Sequence, residues 1–281
     1  MKNRRWAGKR SGIAFGAVAL ILTALVVPYA CAGTTGAVPF SGDNPSSGTR
    51  TVTIADITDF HGHIERGADN ATAFTVADSH NPGNMIPVST GDLVGGSPYE
   101  SAVEKDQPTL DMAKAWGLTI SAIGNHEFDF GLDNLARLLR KAEFPVVCAN
   151  YDFSGTPVAG LVKPYVILHR NGLKIGVFGV SPRLEGLVAA DNYRGVGYTD
   201  PVEAARSTAR LLKRQKHCDV IVCLSHLGWA QMPADVDDSA MIAGSKYIDL
   251  VLGGHSHSYF ERLEYVSDAD GRRVPVDQNG K

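Results

Sequence analysis

Apolar residues gather in short β-branched runs along this chain, and five of those runs end abruptly in polar side chains. Residues 52–57 lead into Asp59, His61 and His63, and residues 85–90 into Gly91-Asp92. Residues 118–123 lead into Gly124-Asn125-His126-Glu127-Phe128-Asp129. Residues 219–224 lead into Ser225-His226, and residues 248–252 into Gly253-Gly254-His255-Ser256-His257. Runs of this length without strict alternation are expected to be strands buried on both faces. Their polar exits fall at the carboxyl ends of strands, where α/β folds bind ligands. The pattern predicts five strands that bring carboxylates, an amide and imidazoles to one edge of a sheet. His255 and His257, two residues apart, are expected to project from a strand on the same side.

The connecting segments fit an α/β chain. Pro108 opens a helix that Gly117 closes. Asp200-Pro201-Val202-Glu203 offers an N-cap, a proline at the first helical position and an acidic third position. Asn171-Gly172 lies between apolar runs at residues 165–168 and 175–180 and predicts a hairpin turn. Helical crossovers together with hairpins imply mixed sheets.

The amino-terminal segment has a different character. Lys2, Arg4, Arg5, Lys9 and Arg10 precede an uncharged apolar run from Ile13 to Val27, followed by Pro28 and Ala30-Cys31-Ala32. That order reads as a secretory signal over residues 1–32, cleaved after Ala32, and so as a secreted or cell-envelope location. The alternatives are a retained signal anchor, which Pro28 and the small residues disfavour, and a lipidated Cys31, which Pro28 and Tyr29 disfavour. Arg4-Arg5 suggests a twin-arginine route that the flanking residues fit poorly. Residues 33–50 read as a flexible linker, rich in Gly, Ser, Thr and Pro as far as Gly48. Residues 51–281 then form one domain, long enough for a large core.

Charge narrows the partners. The chain has 27 basic and 30 acidic residues, and all five basic residues named above lie in the leader. The mature part therefore holds 22 against 30, a formal charge of −8, which argues against a nucleic-acid partner. Cys148, Cys218 and Cys223 remain after signal removal. Cys218 and Cys223 are five apart on one expected strand, roughly 17 Å if extended, too far to pair. All three read as buried thiols away from metal-ligand spacing. His80, His169 and His217 lie outside the polar exits and read as ordinary histidines.

Taken singly, an Asp-x-His or a Gly-Asp at a strand end is a turn or cap. Five such exits in one chain call for another account. Imidazole, carboxylate and amide oxygen suit Zn, Mn, Fe or Co better than Ca or Mg. Seven such side chains exceed what one tetrahedral ion can use. A carboxylate can bridge two ions about 3.5–4 Å apart, and such pairs clamp the attacking and departing oxygens of phosphoryl transfer.

Asp59-x-His61, Gly91-Asp92, Gly124-Asn125-His126-Glu127, Ser225-His226 and Gly254-His255-Ser256-His257 resemble the five motifs of the calcineurin-like metallophosphatases. The longer residues 125–131 and 58–63 resemble the secreted 5′-nucleotidase branch, which includes UDP-sugar hydrolases and 2′,3′-cyclic-nucleotide phosphodiesterases. The resemblance runs from about residue 50 to the end. It implies a four-layer α/β/β/α sandwich of two mixed sheets. It also implies two divalent transition metals, one held by Asp59, His61, Asp92 and His257 and the other by Asp92, Asn125, His226 and His255. His126 would face the scissile phosphate and Asp129 would hold its ring. For Glu127 the resemblance leaves support or packing open, and His63 matches the family's trailing residue without a firm role.

The branch usually continues into a second domain that grips the nucleotide base. This sequence stops in what looks like the family's closing strand region, so the catalytic domain is expected to be truncated and its substrate-binding domain absent. An end there would leave an edge strand without a neighbour. The expected function is a secreted dinuclear phosphohydrolase acting on a small phosphate ester, a nucleotide in the first place. Cyclic-nucleotide phosphodiesterase and UDP-sugar hydrolase are the alternatives on the same site. A non-catalytic cell-surface binding protein is the remote one, and it would need neither His126 nor Asp129.

Overall fold

A computed structural model describes residues 22–28, 49–95, 105–230 and 236–279. In chain order its strands begin with β1 (Leu22–Pro28), β2 (Thr49–Ile57), β3 (Met85–Ser89), β4 (Ile120–Ala122) and β5 (Val146–Val147). Then come β6 (Tyr151–Asp152), β7 (Val162–Lys163), β8 (Tyr165–Arg170), β9 (Leu173–Val180) and β10 (Gly197–Tyr198). The last are β11 (Val220–Ser225), β12 (Leu250–Gly253), β13 (Glu264–Ser267) and β14 (Arg273–Gln278). They form two six-stranded sheets, ordered β1-β2-β3-β4-β5-β7 and β13-β14-β12-β11-β9-β8, and a small pair β10-β6.

Both large sheets are mixed, as the sequence leads one to expect. In the first, β2 to β5 and β7 are parallel and β1 runs antiparallel to β2. In the second, β9, β11, β12 and β14 are parallel, with β8 and β13 antiparallel at the edges. Helices Gln107–Ala115 and Gly131–Lys141 make the crossovers on either side of β4, and Pro201–Arg214 the one from β9 to β11. Parallel neighbours need such crossovers because a tight turn cannot reverse the chain twice.

Three apolar clusters show how the layers stack. Val52, Ile54, Ile86, Val88 and Ile120 of the first sheet meet Ile175, Val177, Val222, Leu224 and Leu252 of the second. On the outer face of the first sheet, Ala55 and Ile57 pack with Phe74, Ala77, Leu110, Leu135 and Leu138 from helices. On the outer face of the second, Phe178, Ile221 and Val251 pack with Ala205, Ala209, Leu212 and Met241. The layer order is α/β/β/α. The central strands have an apolar layer on both faces, which explains why they read as continuous apolar runs.

The local signals hold. Asp200 accepts a hydrogen bond from the Glu203 N–H at 3.0 Å, capping the helix Pro201–Arg214. Asn171 and Gly172 both have positive φ, 45° and 71°, and link β8 to β9 through a two-residue turn. Cys148, Cys218 and Cys223 are buried free thiols.

At the chain ends the fit is looser. Of the apolar run read as a leader, Leu22–Pro28 forms the edge strand β1; residues 1–21 and 29–48, with Cys31 and most of the linker, lie outside the described residues. Cleavage after Ala32 would take β1 away and leave β2 at the edge. At the other end, β14 lies between β12 and β13. Among the described residues no helix is long and apolar enough to cross a membrane.

Candidate metal centre

Three polar exits come from the first sheet, after β2, β3 and β4, and two from the second, after β11 and β12. The expectation of one edge of one sheet therefore needs correcting: the site lies where the carboxyl ends of both sheets meet. Hydrogen bonds stitch the exits together. Asp59 N–H donates to Gly91 O at 3.2 Å, His61 N–H to Asp92 O at 3.0 Å and Gly62 N–H to Leu93 O at 3.1 Å. Across the sheets, the His255 N–H donates to the Asp59 carboxylate at 3.1 Å.

The backbone at these exits is strained. Asp59, His61, Asp92, His255 and His257 all have positive φ, between 47° and 73°. Left-handed conformations at non-glycine residues cost on the order of 1–3 kcal/mol each and persist only where the surroundings over-determine them. Five of them on candidate ligands turn each side chain sharply off its strand axis. This also corrects the reading of His255 and His257. They sit beyond the end of β12, and their turns send the two imidazoles to different groups.

Those groups are clear in the geometry. Asp59, His61 and His257 bring ligand atoms within 4.8 Å of one another, and so do Asp92, His226 and His255. In the first group, His257 Nε2 lies 3.3 Å from Asp59 Oδ1 and 3.2 Å from His61 Nε2. In the second, His226 Nε2 lies 2.9 Å from Asp92 Oδ2, and it is 3.9 Å from Asp59 Oδ1. Asp92 also groups with His61 and His126, so it stands between the two sets. Six of the seven residues singled out as metal ligands thus lie in these groups, and Asn125 is buried next to His126 in the chain.

Several features fit this pocket to metal ions. His226 Nδ1 is 2.9 Å from the Thr90 carbonyl, which can only accept, so Nδ1 carries the proton and Nε2 is turned inward. Nε2 faces the Asp92 carboxylate at 2.9 Å, and Asn125 Oδ1 is buried without a hydrogen-bond partner. Buried polar atoms are normally satisfied; Asn125 Oδ1 is an acceptor that no protein donor satisfies. Glycines keep the pocket clear. A Cβ on Gly124 would collide with Asp92 and His226, and one on Gly254 with Thr58 and Asp59.

Electrostatics carry the same message. Burial opposes ionisation of Asp92, but the His226 imidazole outweighs it and holds the carboxyl far below the ordinary carboxylate range. Burial, then the nearby His226, lowers His255 to about 4, which keeps it in the neutral form that ligates metals. Burial disfavours a charged His226, yet Asp92 raises it to about 10. Two buried carboxylates thus demand a cation, which a proton on His226 or a bound dication can provide.

His126 and Asp129 stand at the rim of this centre. The His126 ring packs edge-on against His61, with centroids 4.9 Å apart, and its Nδ1 is 2.8 Å from Asp129 Oδ2. Both side chains remain about one-third exposed. The hydrogen bond to Asp129 raises His126 to about 9, against the opposing effect of burial. His63 turns away and pairs with Glu65 at 2.7 Å on the surface. His80, His169 and His217 are exposed.

Two supports escape the sequence reading. Thr90 acts through its carbonyl, which no side-chain pattern reveals. Asp238 is fully buried, 2.5 Å from the Gln278 amide beneath the His226 and His255 loops. Its only signal is its place at the start of a short helix, which suggests a cap instead.

Comparison with known proteins places the chain. The calcineurin-like phosphoesterase family model matches residues 52–259. The chain is 28% identical over 281 residues to the cell wall protein Lmo0130 of Listeria monocytogenes, covering 80% of this chain and 36% of that one. It is 32% identical over 203 residues to the 2′,3′-cyclic-nucleotide 2′-phosphodiesterase/3′-nucleotidase of Haemophilus influenzae, covering 65% and 31%. It therefore spans about a third of the length of these relatives. Among solved structures, a 5′-nucleotidase precursor from Thermus thermophilus superposes with a TM-score of 0.69 at 25% identity, covering 81% of this chain and 48% of that one. The phosphoesterase YfkN of Bacillus subtilis gives 0.67 at 26%, covering 81% and 80%. The family match encloses every polar exit from Asp59 to His257, and the chain belongs to the calcineurin-like phosphoesterases.

Proposed function

We propose that this chain is the catalytic domain of an extracytoplasmic phosphohydrolase that uses two divalent ions to remove phosphate from nucleotides. The observation that carries the reading is the pair of donor groups flanking Asp92, with the oriented His126–Asp129 pair alongside. Asp59, His61, Asp92 and His257 would hold one ion, and Asp92, Asn125, His226 and His255 the other. When bound, the ions would lower the pKa of water and neutralise charge on the phosphoryl oxygens.

The chain's own residues supply the rest. Asp129 holds His126 Nδ1, leaving Nε2 as the ring's available proton donor. That contact raises His126 to about 9 in the metal-free protein and so favours its protonated form. In hydrolysis a water oxygen bonds to phosphorus as the ester P–O bond breaks. The departing oxygen then takes the Nε2 proton, and the proton lost by water restores the imidazolium. The His126 backbone N–H donates to Asp92 Oδ1 at 2.8 Å, which ties the donor to the carboxylate between the two groups.

The leader sequence and the likeness to a cell wall protein support export. Monoester hydrolysis is the first reading. The nucleotidase and cyclic-phosphodiesterase names of its relatives keep diester cleavage second. A panel of nucleoside monophosphates, 2′,3′-cyclic nucleotides and UDP-sugars, with metal content measured on the same sample, tests the proposal. Two ions per chain with no turnover of any ester would favour the binding-protein reading.

A further inference from the structure

Glu127 follows the proposed acid directly in sequence but turns away from it and is buried. Its carboxylate accepts three backbone N–H groups. Oε2 takes those of Gly124 at 2.6 Å and Asp92 at 3.1 Å, and Oε1 takes that of Leu93 at 2.9 Å. Two of these donors belong to the exit of β3 and one to the exit of β4. A return contact runs from the His126 N–H to Asp92 Oδ1 at 2.8 Å.

The location of these contacts matters. Asp92 has a φ of 48°, a left-handed conformation that an aspartate holds only under constraint. Glu127 binds the N–H of the strained residue and of the one after it, so it fixes the direction in which the Asp92 side chain leaves the loop. By binding Gly124 as well, it fixes the distance from Asp92 to Asn125. A lysine or arginine could not do this, because all three groups it must satisfy are donors. Glutamine could satisfy only part of them, since its NH₂ would face an N–H.

We propose that Glu127 is a positioning residue that clamps the Asp92 loop to the Asn125–His126 loop and thereby sets the spacing of the metal ligands on both. The inference rests on the proposed two-metal reading of the site, but its principal tests do not depend on turnover. Supporting groups of this kind typically change metal affinity by about 10–100-fold.

The first test needs no variant. Hydrogen exchange on the purified protein should show the amides of Asp92, Leu93 and Gly124 protected, although they lie outside helices and strand ladders. In Glu127→Gln those three should exchange rapidly while the amides of helix Pro201–Arg214 stay protected. The second test titrates metal-stripped protein with Mn²⁺ and follows it by electron paramagnetic resonance. Wild-type protein should give the spectrum of a spin-coupled pair. Glu127→Gln should bind Mn²⁺ about 10–100-fold more weakly and show uncoupled ions at concentrations that saturate the wild type. At saturating metal, kcat should fall with KM little changed, and by the same factor for nitrophenyl and nucleotide esters. Rapid exchange of the three amides in the wild type would overturn the clamp. So would a Glu127→Gln protein with unchanged Mn²⁺ affinity and coupled spectrum. Wild-type protein that binds a coupled Mn²⁺ pair with protected amides, yet hydrolyses no ester, would sink the phosphohydrolase reading and leave the clamp standing.

Discussion

Asp129→Asn separates the two partners of the rim pair while keeping their shape. In the native protein the Asp129 carboxylate sits 2.8 Å from His126 Nδ1 and is the largest influence raising that imidazole to about 9. Burial acts in the opposite direction and the Asp92 charge partly offsets it, so without the carboxylate the ring should titrate near its ordinary value of about 6.5. At pH 8 the protonated fraction would then fall from about 0.9 to about 0.03, a loss of about 30-fold in the supply of the acid. At pH 6 the two proteins would differ by less than a factor of about 1.5. Nuclear magnetic resonance titration of His126 in metal-stripped protein measures the first effect directly. Bound dications lower both titration midpoints, so in the loaded enzyme the comparison between proteins is the readout. There the alkaline limb of kcat should move to lower pH in the variant. The loss should be large for a nucleoside monophosphate and small for nitrophenyl phosphate, whose departing oxygen needs little help from a proton. An unshifted His126 titration, or equal losses on both substrates at every pH, would refute the role assigned to the pair.

Other outcomes follow from the same geometry. Asp92→Ala should lose both ions and His61→Ala mainly one, by elemental analysis, because Asp92 stands between the two donor groups and His61 lies with Asp59 and His257; an Asp92→Ala protein that keeps two ions would refute the bridge. Burial raises Asp238 to about 7 and Asp277 to about 6. Folded values above the ordinary 3.8 mean that their contribution to stability is complete below about pH 4 and is lost as pH rises through 6 to 7. Asp238→Asn should therefore melt several degrees higher than wild type at pH 8, roughly 1–3 kcal/mol, and the difference should shrink at pH 5; parallel melting curves across that range would contradict it. The exported protein should begin just after Ala32, and an intact Met1 or a lipid-blocked Cys31 on N-terminal sequencing would count against the leader.

Much of this protein was legible without coordinates. Strand identity follows from β-branched apolar runs, because burial on both faces leaves no polar alternation to disguise them. The site residues follow from chemistry, because histidine, aspartate and asparagine massed at strand exits have no use in a core. The Asn171-Gly172 turn and the Asp200 cap rest on backbone requirements of one or two residues. Such local demands are written directly in the chain.

What the tertiary structure decided is how those pieces meet. The runs do not say which strands share a sheet, so only the fold shows that His226, His255 and His257 reach Asp59 and Asp92 across two packed sheets. Periodicity assigned His255 and His257 to one side of a strand; their positive φ angles, held by cross-sheet hydrogen bonds, send them to different donor groups. Glu127 could be named from its motif, but two of its three contacts lie 34 and 35 residues away at backbone atoms carrying no sequence signature. The Thr90 carbonyl that orients His226 is 136 residues from it, and any residue type could have provided that oxygen. Side-chain identity sets which chemistry is available, whereas distances between backbone groups far apart in the chain depend on packing alone.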